Sequence, residues 1–327
     1  MKIGDYTLVD ELKNDDSGFS KWGFATRGKN VYFIKEFLSP VYPTDTSLLS
    51  PEVIASKKNV CDEFERRKLE LYNRLYSCNT GNIIVVERFF RDKGKYYVVT
   101  EKVDSDKFGV DYISECFTLE QKILLVKVLT YNVAQLHEKG IVHGDIKPSN
   151  VLIKKTEGGY TAKLIDFDSS FLEDAPPTFD EFQGDMVYFA PESFMLLATE
   201  EGDIDRKIDI FALGLMFHQY FTGELPGYDV NKYAYPFESV VDGEGLIVSS
   251  DIPDPLFGII ESMLSADPAE RIELQDAFDI LVGRVKKEEP EPEVEVLPEP
   301  EPEPAPAPVP PRKSGGFFKR AGDDDLL

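Results

Sequence analysis

Cysteine, tryptophan and histidine are scarce in this sequence of 327 residues, which has 3 Cys, 1 Trp and 3 His. The cysteines, Cys61, Cys78 and Cys116, are odd in number and show no C-x-x-C spacing. That argues against a disulfide framework and a thiolate zinc site, and fits a reducing, cytoplasmic setting. Basic residues are in deficit: 36 Lys and Arg stand against 60 Asp and Glu, a formal net charge of −24 at pH 7. Nucleic acid and anionic membrane are therefore not expected partners, because phosphate contacts need clustered cations. No apolar run approaches the roughly 18 residues of a membrane helix, and MKIGDYTLVDEL lacks the basic, apolar, small-residue order of a signal peptide. The expectation is a soluble, unexported protein.

What is present is 42% hydrophobic content, enough for a sizeable core. Residues 6–37 alternate apolar and polar positions in YTLVDEL, WGFAT and VYFIKEF, broken by the turn clusters KNDDSG and RGKN, and predict three antiparallel strands. LSPVYPTDTSLLSPE, with three prolines and no periodicity, reads as a loop or insertion ending near Val60. Cys61, Phe64, Leu71, Tyr72 and Leu75 recur at helical spacing and predict one amphipathic helix over 61–76. IIVVERFF and KYYVVTEKV, around RDKG, add a hairpin, so residues 1–103 are expected to form a five-stranded sheet holding a single helix. After Phe117 long helical periodicity takes over, beginning with TLEQKILLVKVLTYNVAQLHEKG, which has a Thr-x-x-Gln capping box and a closing Gly. Residues 104–284 are accordingly expected to be mainly helical, and the fold class is α+β in two lobes.

HGDIKPSNVLI at 143–153 and LIDFD at 164–168 place Asp145, Lys147, Asn150 and Asp166 around two short apolar strands. Phosphoryl transfer needs such a set: a carboxylate to orient the acceptor hydroxyl, a lysine to offset charge, and an amide plus a second carboxylate to hold Mg²⁺ on the phosphates. Here the sequence resembles the eukaryotic-type protein kinase family. The resemblance implies a two-lobed kinase-like fold, ATP and Mg²⁺ as cofactors, Asp145 as catalytic base, Lys147 on the γ-phosphate, and Asn150 and Asp166 as metal ligands. Small-molecule kinases of the aminoglycoside and choline type carry similar signatures. GDMVYFAPE at 184–192 separates the two, since it resembles the end of a protein-kinase activation segment. KIDIFALGLMFHQYFTGELP resembles that family's central buried helix. Arg271 in DPAERI completes the pattern, in which Glu192 and a distant arginine form a buried ion pair, and Asp209 resembles the carboxylate that anchors the catalytic loop from beneath. Lys147, two residues after Asp145, is the Ser/Thr form of the loop, so the implied activity is a protein Ser/Thr kinase acting on protein substrates.

In FIKEF, the resemblance implies that Lys35 binds the α- and β-phosphates and pairs with a helix glutamate. Glu65 is assigned as that partner, because Leu69 and Tyr72 then follow on one helix face, whereas Glu70 would put Arg74 at an apolar position. Thr100 takes the gatekeeper position, backbone groups of Glu101 and Val103 face adenine, and Leu152 belongs to the same implied ATP-binding set.

The sequence departs from the family pattern in several places. The three glycines of the nucleotide-covering loop become Asp15, Ser17 and Ser20, leaving Ser17 and Gly18 as the implied covering residues. Trp22 and Phe33 replace the usual small residues of the adenine roof, and two readings are open: nucleotide contact, or plain core aromatics. A pseudokinase scaffold is the alternative function that these departures suggest. Gly144 stands where many kinases have arginine, which removes the usual docking site for an activation-loop phosphate. Asp168 replaces the glycine of Asp-Phe-Gly, tolerable in a turn because Asp visits left-handed backbone. Asp185 replaces a threonine, and its carboxylate either pairs with Lys147 or repels Asp145. His137 and His218 are assigned packing or satisfied polar roles and no chemistry.

Near Lys286 the composition shifts to KKEEPEPEVEVLPEPEPEPAPAPVPP, which can build no core, so 285–311 is expected to be a disordered linker with a reach of roughly 80 Å at about 3.1 Å per residue. RKSGGFFKRAGDDDLL, from 312 to 327, compresses basic, aromatic and acid-Leu-Leu features into a candidate docking motif, with Ser314 a candidate self-phosphorylation site.

Overall fold

Alternation along residues 20–37 gives the N-terminal sheet two unlike faces, and that difference places the site. The computed structural model describes residues 1–14, 20–78, 81–104, 106, 108–157 and 159–284. Strands β1 (Lys2–Ile3), β2 (Tyr6–Leu8), β3 (Ser20–Arg27) and β4 (Asn30–Phe37) precede helix α1 (Pro51–Ser77), and β5 (Val86–Asp92) and β6 (Lys95–Glu101) follow it. They form one antiparallel sheet in the order β1-β2-β3-β4-β6-β5. On one face Ile3, Tyr6, Leu8, Ala25, Tyr32, Ile34, Tyr97 and Val99 pack into a small core. Side chains alternate along a strand, so Trp22, Phe24, Phe33 and Lys35 share the other face, and the register pairs Trp22 with Lys35 and Phe24 with Phe33.

Two expectations are corrected. The sheet has six strands, because the two-residue β1, too short to show a period, pairs with β2 through Lys2 and Thr7. Helix α1 starts at Pro51, inside the segment read as loop: Ser50 caps it by accepting a bond from the Val53 amide at 3.4 Å, and Pro51 stands at the first turn, where no amide hydrogen is needed. Its buried residues are Cys61, Leu71, Tyr72 and Leu75, the expected apolar stripe apart from Phe64, which is partly buried against the same core.

The second region carries α2 (Val110–Cys116), α3 (Leu119–Glu138), β7 (Ile141–Val142), β8 (Val151–Thr156), β9 (Gly159–Leu164), β10 (Phe171–Leu172), α4 (Pro191–Thr199), α5 (Lys207–Thr222), α6 (Pro236–Val241), α7 (Leu256–Met263) and α8 (Leu274–Leu281). Helix α3 begins at the expected capping box of Thr118 and Gln121. Helix α5 is apolar nearly all round and buried from Ile208 to His218, as a helix at the centre of a domain must be. The strands β8 and β9 form a hairpin, and β7 pairs with β10, so the two motif loops that follow β7 and β9 lie side by side. No helix among the described residues is long and apolar enough to cross a membrane.

Candidate active site

The loop after β7 hangs from Asp209, at the start of α5. This carboxylate is 1% exposed and accepts from the amides of His143 at 2.8 Å and Gly144 at 2.9 Å, while His137 Nε2 lies 3.0 Å away. A buried carboxylate needs such donors, and in taking them it fixes the path of the loop. His137 is thus a satisfied polar residue, as expected. Its link to Asp209 was not read from the sequence, because the two are brought together only by the packing of α3 on α5. His143 donates from Nε2 to the Ile165 carbonyl at 3.0 Å, and its Nδ1 accepts from the Asp145 amide at 3.3 Å, which assigns the tautomer and ties the two motif loops together. Gly144 has φ +78°, and a Cβ there would lie 2.8 Å from the Ser169 carbonyl oxygen. That local fit favours glycine at 144.

Asp145 Oδ2 accepts from Asn150 Nδ2 at 2.8 Å and pairs with Lys147 Nζ at 2.9 Å, and Oδ1 accepts from the Asp185 amide at 3.2 Å. The Asp185 side chain caps the turn that follows, taking the Val187 amide at 3.1 Å, and its second oxygen stands 3.7 Å from Lys147. Of the two readings for Asp185, the structure shows the pairing with Lys147.

Lys35 is 8% exposed, and a lysine so enclosed requires counter-charge. It finds two: Asp166 Oδ1 at 2.7 Å and Asp168 Oδ2 at 3.0 Å. Burial pulls the Lys35 ammonium down, but the charges of Asp168 and Asp166 and their hydrogen bonds outweigh it, and the net shift is upward. The assignment of Glu65 as partner of Lys35 is corrected. Glu65 accepts from the Tyr96 hydroxyl at 3.3 Å and lies 3.7 Å from Arg91. The residue that α1 extends toward the site is Lys68, whose Nζ donates to the Asp168 carbonyl at 2.5 Å. The helix turns a different way from that expected because Leu69 is 44% exposed while Leu71, Tyr72 and Leu75 are buried, which sets Lys68 on the inner stripe at i−3 and i−4. Burial lowers the pKa of Lys68, and it raises that of Asp168, assisted by the neighbouring Asp166 charge and opposed by Lys35 and Lys68. The backbone account of Asp168 is corrected too. The left-handed residue is Asp166, at φ +66°, and Asp168 is not among the residues of positive φ.

Trp22 and Phe33 stack with centroids 5.8 Å apart and planes 27° apart, and Phe24 meets them edge-on at 6.3 and 5.9 Å. All three are half-buried and lie outside both hydrophobic cores. Phe24 was missed by sequence reasoning, although its i+2 spacing from Trp22 puts it on the same face. Thr100 stands opposite Phe33 in the register, and its hydroxyl donates to the Glu101 carbonyl at 3.2 Å. The Glu101 side chain pairs with Lys163, opposite Leu152 on the β8–β9 hairpin, and Val103 and Leu152 are half-buried. Ser17 and Gly18 lie outside the described residues, as does all of 285–327 with Ser314.

Farther from the reacting groups, Glu192 and Arg271 form the expected ion pair. Arg271 also donates to the carbonyls of Ser265 at 2.9 Å and Lys207 at 3.0 Å, so α4, α5 and the segment before α8 are joined at one point.

The sequence model described as protein kinase domain matches residues 50–280, a span that excludes Trp22, Phe33 and Lys35. Among curated proteins the chain is similar to Serine/threonine-protein kinase cds1 of Schizosaccharomyces pombe, 26% identical over 243 residues, covering 69% of this chain and 50% of that protein. It is also similar to Serine/threonine-protein kinase ppk6 of the same organism, 34% identical over 173 residues, covering 51% of this chain and 21% of that protein. The chain thus spans half or less of the length of these relatives. Among solved structures, the crystal structure of Rad53 1-466 in complex with AMP-PNP shares the fold, with a TM-score of 0.59 at 19% identity, covering 86% of this chain and 66% of that one.

Proposed function

The chain belongs to the protein kinase domain family, and on that premise we propose that it transfers the γ-phosphoryl group of ATP to serine or threonine hydroxyls of protein substrates. The observation that carries this reading is the setting of Asp145. Its carboxylate is held by Asn150, Lys147 and the Asp185 amide on a loop suspended from Asp209. A carboxylate fixed in this way accepts the proton of an acceptor hydroxyl as that oxygen bonds to the γ-phosphorus and the bond to the departing ADP oxygen breaks. Lys147, beside Asp145, offsets charge on the transferring group.

Asp166 and Asn150 offer a carboxylate and an amide oxygen, part of the shell that Mg²⁺ takes when substrate phosphates complete it, so the residues fit the ion. When bound, Mg²⁺ supplies charge neutralisation at the phosphates. In this reading Lys35 would contact the α- and β-phosphates, and the stacked Trp22 and Phe33, with Leu152, would line the adenine site. Main-chain groups of Glu101 and Val103, behind Thr100, read the adenine edge. Glu192, Arg271 and Asp209 hold the platform on which a protein substrate sits, and that platform favours a protein over a small-molecule acceptor. In this reading residues 1–284 are the kinase domain, 285–311 a linker and 312–327 a docking segment.

Incubation of the full chain with Mg-ATP and peptides ending the choice at Ser, Thr or Tyr, followed by phosphoamino-acid analysis, tests the assignment. Phosphoserine or phosphothreonine is the expected product. Label on tyrosine alone, or on an aminoglycoside or choline but on no peptide, would overturn it.

A further inference from the structure

The four charges Lys35, Lys68, Asp166 and Asp168 form one group, and the helix supplies a cation to it. Every carboxylate on α1 near that level is turned elsewhere: Glu63 to Arg66 and Arg67, Glu65 to Tyr96 and Arg91, Glu70 to Arg66 and Arg74. Lys68 alone reaches inward, to the Asp168 carbonyl, and Asp168 reaches on to Lys35 through Oδ2.

We propose that Asp168 is a positioning partner of Lys35 in place of a helix glutamate, and that Lys68 holds the backbone of Asp168 there, so that α1 is linked to the nucleotide lysine through residue 168 and not by a direct ion pair. The inference rests on Lys35 being the nucleotide lysine. Two ammonium groups on facing elements repel unless a carboxylate stands between them, and glycine at 168 would leave only Asp166 to serve both Lys35 and the metal. Asp168 shares that duty. Lys35 keeps Asp166 Oδ1 at 2.7 Å and gains Asp168 Oδ2 at 3.0 Å, and the second oxygen of Asp166 stays outside the pair. The Asp168 carboxylate therefore offsets the charge of Lys35 beside the Lys68 ammonium that the carbonyl of the same residue holds. The mechanical consequence is that Lys35 is placed from the loop that carries Asp166, two residues away, and not from the helix. Helix α1 acts on Lys35 at one remove, through Asp168.

A double-mutant cycle with two readouts tests this. Binding of Mg-ATP is followed by fluorescence of Trp22, the single tryptophan of the chain, and thermal unfolding is measured without nucleotide. Asp168→Gly and Lys68→Glu are each expected to weaken Mg-ATP about tenfold or more, the size of a lost hydrogen bond to a charged group. Lys68→Glu combined with Asp168→Gly restores a helix carboxylate facing Lys35, and is expected to recover affinity to within a few-fold of wild type. Asp168→Asn, which keeps the side-chain shape, should weaken binding as Asp168→Gly does. In the unfolding arm, the shifts caused by Lys35→Met and Asp168→Asn should be less than additive. A double variant no better than Lys68→Glu alone, or unfolding shifts that simply add, would overturn the proposal. Failure of the wild type to bind Mg-ATP would count against the proposed function instead, and the unfolding arm would still decide the pairing.

Discussion

Arg271, its side chain fully enclosed, grips Glu192 with two parallel hydrogen bonds of 2.5 and 2.9 Å across 79 residues of sequence. Breaking a buried pair by removing one partner leaves an uncompensated charge, whereas replacing both by apolar residues of similar size is often tolerated. Glu192→Ala is therefore expected to cost about 3–5 kcal/mol of stability, read from urea unfolding. Glu192→Leu combined with Arg271→Met is expected to cost less than either single change. A single-variant cost below about 1 kcal/mol would mean that the pair acts as an exposed one does.

A second expectation concerns acid. His218 is 3% exposed, with Nδ1 against the Glu224 carbonyl at 2.8 Å and Nε2 accepting from the Ser249 amide at 3.1 Å. That arrangement uses the neutral ring, since a protonated Nε2 would face an N–H. Burial pushes the His218 pKa below its usual value, and the Glu224 carbonyl and charge only partly offset it. The unfolded chain then takes up the proton first, so the contribution is whole above about pH 6.5 and is lost as pH falls through the folded value. His218→Gln is expected to flatten the fall in Tm between about pH 7 and about pH 5. An unchanged slope would contradict the assignment.

Much of the site was legible because phosphoryl transfer fixes residue types in order along two short loops. Asp145, Lys147 and Asn150 meet on the loop after β7, Asp209 holds that loop, and Glu192 pairs with Arg271. The helix partner of Lys35 was not legible by the same route. Between Glu63 and Glu70 every residue except Phe64 and Leu69 is charged, so spacing alone offers several candidates, and it favours the carboxylate of Glu65 over Lys68. The signal that would have found it is the pair Leu71 and Tyr72, whose i−3 and i−4 position is Lys68. The early start of α1 was hidden for a different reason. Three prolines and no periodicity resemble a loop, yet Ser50-Pro51-Glu52 is itself a helix start, with a capping hydroxyl, a residue that needs no amide partner and an acid in the first turn.

Gly144 gives a prediction against family usage. Gly144→Arg would require a left-handed backbone at a cost of roughly 1–2 kcal/mol, with its Cβ 2.8 Å from the Ser169 carbonyl in addition. The variant is expected to lower Tm by several degrees and to disturb the loop that carries Asp145. Full stability in thermal denaturation would show that the loop can move aside.

The central claim is tested most directly by measuring ³²P transfer from γ-labelled Mg-ATP by the wild-type chain and by Asp145→Asn, with nucleotide binding measured on both. Loss of a positioned general base costs on the order of 10²–10⁴ in rate, so Asp145→Asn is expected to bind Mg-ATP as the wild type does and to transfer label at least about a hundredfold more slowly. Equal transfer by the two proteins, or no transfer by a wild type that binds Mg-ATP, would contradict the account.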